Sequence, residues 1–337
     1  MKWRRVGSFG VGIALAVSGT IGFAGTAKPA GASGPDGVLF GAYPSPKPGE
    51  TKRAAVERLE GELGTTLSLV RDYAFIGERF DSSFDKWAVA GGRRLLISFK
   101  SRRPTGENIP WKRVVAAQPS WKLYHEISDM ADSVKALGVP VLMAFHHEPE
   151  ADKNKIFGSS DDFIAAWRKV VSIFNERGVT NVSWVWTMTS WSFDVAPTDR
   201  RAADKWYPGD DYVDYLGADA YNWNKCRPSM KEPWQPLATT IAGFMKFGDQ
   251  HPNKPLVLPE FGSAEGGPGA KGAWLDEARA LFKTAPYADR FAAVSYFHND
   301  DEMTPACNWW LDSSTAALKS AQGLAQDAYF RNTAAAS

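Results

Sequence analysis

Histidine and cysteine are both scarce in this chain, and charge of either sign is hardly in excess. Of 337 residues five are His and two are Cys, and 39 Lys and Arg face 38 Asp and Glu. A balance this even offers no electrostatic footprint for a nucleic acid or an anionic membrane. No HExxH spacing occurs, and the turn after the first strand-like run, Gly41-Ala-Tyr-Pro-Ser45, lacks the GxGxxG of a dinucleotide fold. No Ser/Thr/Pro-rich linker, low-complexity tract or internal repeat follows residue 50, so no appended binding module is expected. No cofactor or metal is implied, and a monomer is expected.

The first residues carry an export pattern. Met1-Lys-Trp-Arg-Arg5 is basic, Val6 to Phe23 is small and apolar, and Ala30-Gly-Ala32 fits small-x-small cleavage. Residues 1–32 therefore read as a secretory signal peptide, with Arg4-Arg5 leaving a twin-arginine route open. A membrane anchor is the alternative; the Gly, Ser and Ala content favours cleavage. Removal takes Lys2, Arg4, Arg5 and Lys28 and no acid, so the mature chain is slightly acidic and extracellular. In an exported protein Cys226 and Cys307 are expected to pair. The long loop they close would be worth roughly 4 kcal/mol in the chain-entropy model.

Residues 33–337 alternate strand-like runs with amphipathic stretches. The strand candidates are Val38–Tyr43, Leu67–Tyr73, Arg94–Phe99, Val139–Phe145, Val182–Trp186, Tyr215–Ala220, Leu256–Pro259 and Ala292–Phe297. Between most of them lie helix patterns: Thr51–Leu63, Tyr124–Leu137, Ser160–Arg177, Gln235–Phe247 and Gly272–Thr284, with Ser314–Tyr329 closing the chain. Caps at their starts and glycines at several ends are the expected punctuation. Eight strands alternating with helices predict a single-domain (β/α)8 TIM barrel, with a doubly wound open sheet as the alternative.

The chemistry gathers where strands end. Val141-Leu-Met-Ala-Phe145 runs straight into His146-His-Glu-Pro149, and Pro255-Leu-Val-Leu-Pro259 runs into Glu260-Phe-Gly262. In a parallel barrel the carboxyl ends of the strands carry the active site. Three of the five histidines, His146, His147 and His298, fall at such ends, as do Trp186, Asp219, Tyr221 and Trp223, with Trp191 in the loop after Trp186. Aromatic planes stack on the apolar faces of sugar rings, and short polar groups take the hydroxyls. Two carboxyls facing each other over one sugar are the apparatus of glycosidic cleavage, one protonated and one ionised. A separation of about 5–5.5 Å between them means retention through a glycosyl-enzyme.

A Glu ending strand 4 and another ending strand 7 resemble the retaining glycoside hydrolases of the large (β/α)8 clan. His147-Glu-Pro149 in particular resembles glycoside hydrolase family 26, which holds β-mannanases and some β-glucanases and β-xylanases. Trp206-Tyr-Pro-Gly-Asp210, Val213-Asp-Tyr-Leu-Gly-Ala-Asp-Ala-Tyr221 and Pro259-Glu-Phe-Gly262 support the likeness, which spans about residues 38–310. The resemblance implies Glu148 as general acid/base, Glu260 as nucleophile, His147 bonded to substrate or to the acid, and Tyr221 donating to the nucleophile. It departs from the mannanase pattern at Ser98-Phe-Lys100 and Phe297-His298-Asn299, where that pattern tends to place tryptophan and histidine.

Other readings stand beside these. Glu148 could pair with Lys100 or Arg71. Arg71 and Asp72 read as an internal ion pair, Glu150 as solvated, and Trp186, Trp191, Trp223 and His298 as sugar contacts. Alternation along a strand puts His146 and Glu148 on one face and His147 on the other. His146, His147 and Glu148 with Asp219 or Asp300 could form a two-His, one-carboxylate metal site, although no metal is expected. A polysaccharide-binding barrel without catalysis, and a metal-dependent hydrolase or deacetylase, are the competing functions.

Overall fold

The computed structural model describes residues 37–227, 232–300 and 307–330; residues 1–32, read above as a signal peptide, lie outside them. Eight parallel strands close into a barrel in sequence order. They are β1 (Leu39–Pro44), β2 (Leu69–Phe75), β3 (Arg94–Lys100), β4 (Val141–Phe145), β5 (Val182–Thr189), β6 (Tyr215–Asn222), β7 (Leu256–Ser263) and β8 (Phe291–His298). β8 pairs with β1 from Leu39↔Ala293 to Pro44↔His298, so no sheet edge is left open.

The helices are α1 (Lys52–Leu63), α2 (Ser83–Ala90), α3 (Trp111–Val115), α4 (Lys122–Leu137), α5 (Ser160–Glu176), α6 (Leu237–Thr240), α7 (Ala242–Gln250), α8 (Ala270–Leu281) and α9 (Thr315–Gln326). Two of them, α2 and α3, escape the sequence pattern because they are short. α2 is fixed instead by a capping box between Ser82 and Asp85. The single helix expected over Gln235–Phe247 is two, α6 and α7, which meet at Ile241.

Two apolar compartments sandwich the barrel wall. The inner one takes one residue from each strand: Leu39, Leu69, Leu96, Leu142, Val185, Tyr215, Val257 and Ala293. This is the barrel floor, a packed layer rather than a pore. The outer one fills the space between strands and helices with residues such as Trp167, Trp184, Trp186, Phe244 and Leu275. Two residues above the floor, alternation turns Arg71, Ser98, Thr187 and Ser295 inward, all of them buried. An apolar plug thus carries a polar layer, and the polar layer faces the mouth.

Cys226 and Cys307 are bonded, joining the loops after β6 and β8. The bridge packs with Trp309 and Ala264 and borders Tyr221, Trp223 and Phe297. Reduction is expected to weaken the fold by roughly 2–5 kcal/mol. Scanning calorimetry with and without dithiothreitol should show a melting temperature lower by several degrees; equal curves would mean that the closed loop adds nothing to stability.

Candidate active site

Two backbone irregularities aim the two glutamates. On β4 the inward positions are Leu142 and Ala144, so His146 should follow them. It does not, because its φ is +50°, a left-handed value unusual for a side chain other than glycine. The chain flips there: His146 turns outward and His147 turns into the mouth. Glu148 also has φ +50°, and its N–H donates to Thr187 O at 3.0 Å, so the segment stays tied to β5. This reverses the shared face expected for His146 and Glu148. On β7, Gly217 faces Val257 but Asp219 faces Glu260, so three residues span what two span on β6. Pro259 falls in this bulge, where its missing N–H costs no ladder bond, and the extra residue turns Glu260 inward.

Glu260 is 6% exposed and held on both oxygens. Tyr73 donates to Oε1 at 2.6 Å and Tyr221 to Oε2 at 2.6 Å. Arg71, fully buried, reaches Oε1 at 3.4 Å, and His147 Nε2 lies 3.8 Å from the same atom. Burial, and next the Glu260 charge, push Tyr221 and Tyr73 well above the ordinary phenol range, so both keep the protons they donate. The His147 ring is held neutral by burial and then by Arg71. Its Nδ1 lies 2.8 Å from Ser98 Oγ. The tautomer that satisfies both neighbours accepts a hydrogen bond from the Ser98 O–H on Nδ1 and points Nε2–H at Glu260.

Glu148 has a sparser setting. Among the described residues its one ion-pair partner is Lys153, whose ammonium donates to Oε2 at 3.1 Å and is largely solvent-exposed. Lys153, rather than Lys100 or Arg71, is thus the counter-ion of this carboxylate. Asp219 lies between the two glutamates electrostatically. It is buried, neither oxygen has a hydrogen-bond partner among the described residues, and one lies in a cluster with His147 and Glu260 whose ligand atoms are within 4.8 Å. Burial first, then the charges of Glu260 and Glu148, hold its carboxyl well above the usual range.

Glu150 is a correction to the sequence reading. It is fully buried, and its Oε1 accepts from the Thr189 backbone N–H at 2.8 Å and from the Thr189 hydroxyl. Burial raises its pKa to about 8. An unfolded glutamate titrates near about 4.3, so between that pH and 8 the folded chain keeps a proton that the unfolded chain has lost. Stability from this group is therefore full below about pH 4 and is lost as pH rises through 8. Glu150→Gln keeps the shape and removes the titration. Urea unfolding is expected to show the variant more stable at pH 8 by on the order of a few kcal/mol and level with the parent at about pH 4. A constant difference at both pH values would refute the assignment.

Two other expected contacts are also corrected. Trp186 is completely buried on the outer face of β5, its ring against Phe193, Tyr207 and Phe247, so no sugar can reach it. His298 is likewise buried outside the barrel, with Trp310 beside it and Nδ1 accepting from the Leu311 N–H at 3.0 Å. His146 is spent in the same way: Nδ1 accepts from Trp111 Nε1 at 3.1 Å and from the Ser101 N–H at 3.3 Å. It therefore offers no metal ligand with Glu148. Trp191 stays 39% exposed, with Arg201 over its ring. Trp223 is half-buried against Tyr221 and Trp309. Arg71 pairs with Glu260, and Asp72 pairs with Lys52.

Comparison with known proteins finds similarity over part of this site. The family model of glycosyl hydrolase family 26 matches residues 115–238, which include His147, Glu148, Asp219 and Tyr221. Endoglucanase H of Acetivibrio thermocellus is 27% identical over 294 residues, covering 84% of this chain and 30% of that protein. Over residues 115–238 the chain is thus similar to glycosyl hydrolase family 26. Among solved structures, the catalytic domain of a family 26 endo-β-1,4-mannanase from Bacillus sp. JAMB-750 superposes with a TM-score of 0.59 at 16% identity, over 88% of each chain. A family 26 β-mannanase from Bacteroides ovatus gives 0.56 at 17% identity, over 88% of this chain and 90% of that one. At such identities the structural likeness speaks for the barrel alone. The chain spans less than a third of the length of Endoglucanase H.

The structure brings Glu148, Glu260, His147 and Tyr221 to one mouth of the barrel. Asp219, named above at the end of β6, joins them, and the structure adds Arg71, Tyr73, Ser98 and Lys153, which sequence reasoning left out of the site. Arg71 and Tyr73 had a signal: both follow Leu69 at a period of two on β2, so all three face inward. Lys153 had none, because it comes from a 3-10 turn whose position depends on the flip at His146.

Proposed function

We propose that this chain is a secreted endo-acting glycoside hydrolase that cleaves a β-linked polysaccharide with retention of configuration. Glu260 would be the nucleophile and Glu148 the general acid/base. The observation that carries the reading is the unequal treatment of the two carboxylates. Glu260 accepts from two phenols and a guanidinium, which suits a group that must stay ionised and fixed while it attacks an anomeric carbon. Glu148 has one mobile counter-ion, which suits a group that must gain and give a proton in each cycle.

The steps follow. Glu260 Oε1 or Oε2 attacks the anomeric carbon as Glu148 protonates the departing oxygen. Glu148, now ionised, then takes a proton from water, which displaces Glu260. Tyr73 and Tyr221 hold the nucleophile's orientation, and His147 and Asp219 offer N–H and O–H donors beside it for substrate hydroxyls. Export is supported by the leader pattern and by the Cys226–Cys307 bond. β-Mannan, β-glucan and β-xylan are the candidate backbones. The mature protein should release oligosaccharides from one of them, and proton NMR of the fresh product should show the β-anomer first. An initial α-anomer would mean inversion and would remove Glu260 from the nucleophile's role.

Each phenol donates to a charged oxygen, an interaction worth about 1.5–3 kcal/mol. Tyr73→Phe and Tyr221→Phe are therefore each expected to lower kcat by roughly 10- to 100-fold with little change in melting temperature. Loss below threefold in both would show that Glu260 is positioned by other means.

A further inference from the structure

Cations at the rim of the mouth are unevenly matched. Arg71 is paired with Glu260 and Lys52 with Asp72, while Lys155 and Arg200 share Asp152. Two are different. Lys100 ends β3 on the inward register, two residues above Ser98, and its ammonium lies 5.5 Å from the centre of the Phe157 ring. It forms no ion pair among the described residues. Lys153 sits on the same 3-10 turn as Phe157, Asp152–Phe157, and has Glu148 as its ion-pair partner. Burial lowers the Lys100 pKa most, and Lys153 and Arg102 lower it further, against Glu148.

The proposed reaction makes this imbalance larger. Glu148 must be protonated when the glycosidic bond is cleaved, and in that state Lys153 has lost its counter-charge. The complex about to react then presents two ammonium groups without a carboxylate partner among the described residues, Lys100 at the end of β3 and Lys153 on the turn that carries Phe157. A neutral glycan gives neither group a partner. A carboxylate held on the sugar would give one to both.

We propose that Lys100 and Lys153 form a receiving site for an anionic sugar, so that the preferred substrate is a β-glycan bearing a uronic-acid carboxylate next to the scissile bond. The inference rests on the glycoside hydrolase reading above and names its substrate class.

The test uses matched glycans: β-1,4-oligosaccharides, the same oligosaccharides carboxylated at C6 of the main chain, and xylan with and without glucuronic-acid branches. At low salt, about 20 mM, kcat/KM should favour a carboxylated member by about tenfold or more, and the preference should shrink at about 0.5 M salt. The main-chain and branch arms show which carboxylate is read. Lys100→Met keeps the stem over Phe157 and removes the charge; it should cut the carboxylated-to-neutral ratio of kcat/KM by about tenfold. A parent ratio near one, or a ratio that Lys100→Met leaves unmoved, would overturn the proposal. If the parent hydrolyses neither member, titration calorimetry of the same oligosaccharides decides. Tighter binding of the carboxylated member, lost in Lys100→Met, upholds the cationic site while the hydrolase reading falls. Equal or absent binding sinks both.

Discussion

Glu260→Gly is expected to lower turnover of an aryl β-glycoside by roughly four orders of magnitude or more, and added azide is expected to restore a large part of it. The variant leaves a hole lined by Tyr73, Tyr221 and Arg71, the groups that now bind the carboxylate. Arg71 is fully buried, so without Glu260 it becomes an unpaired cation in a dry layer. Stability should fall by about 3–5 kcal/mol for that reason. The same cation makes the hole attractive to a small linear anion. Azide bound there attacks the anomeric carbon from the face that Glu260 served, and nothing performs a second displacement. A β-glycoside therefore yields the α-glycosyl azide. Formation of the β-azide, or no rescue in a folded variant that still binds substrate, would show that another group is the nucleophile.

Glu148→Gln is expected to lose about 10^2- to 10^4-fold on polysaccharide, the usual worth of a positioned general acid. Its diagnostic is the leaving group. A dinitrophenyl glycoside departs without a proton, so its first step should be nearly unaffected. The second step still lacks a base, and the covalent intermediate accumulates with a burst of phenol and a lowered KM. An equal loss on the natural polymer and the activated glycoside would place Glu148 outside proton transfer. Lys153 loses its partner in this variant but stays largely exposed, so little stability is at stake.

The barrel and its two glutamates were legible because each rests on a repeated pattern. Eight apolar runs with helices between them leave few topologies, and a strand that ends in Glu advertises its end. What the sequence concealed depends on departures from pattern. Simple alternation along β4 sends His146 inward; the φ of +50° that sends it outward is set by tertiary packing against Trp111 and Phe157. Trp186 was misplaced because an isolated apolar run does not declare which of its faces is inner, and only the floor residue Val185 settles that. Glu150 was read as solvated because it follows proline in a polar stretch. Its burial comes from contact with Thr189, which is 39 residues away.

The sealed floor of the barrel has a consequence for the order of events. Leu39, Leu96, Val257 and their neighbours leave no path from below to the polar layer. With the floor closed among the described residues, a glycan seated over Glu260 corks the approach from the mouth. Once a glycosyl-enzyme has formed, the water that resolves it can arrive only through the space vacated by the departing oligosaccharide. That space is shaped to hold a sugar. Water and a second glycan chain thus compete for one doorway, and at high substrate concentration the barrel should build longer chains as well as cut them.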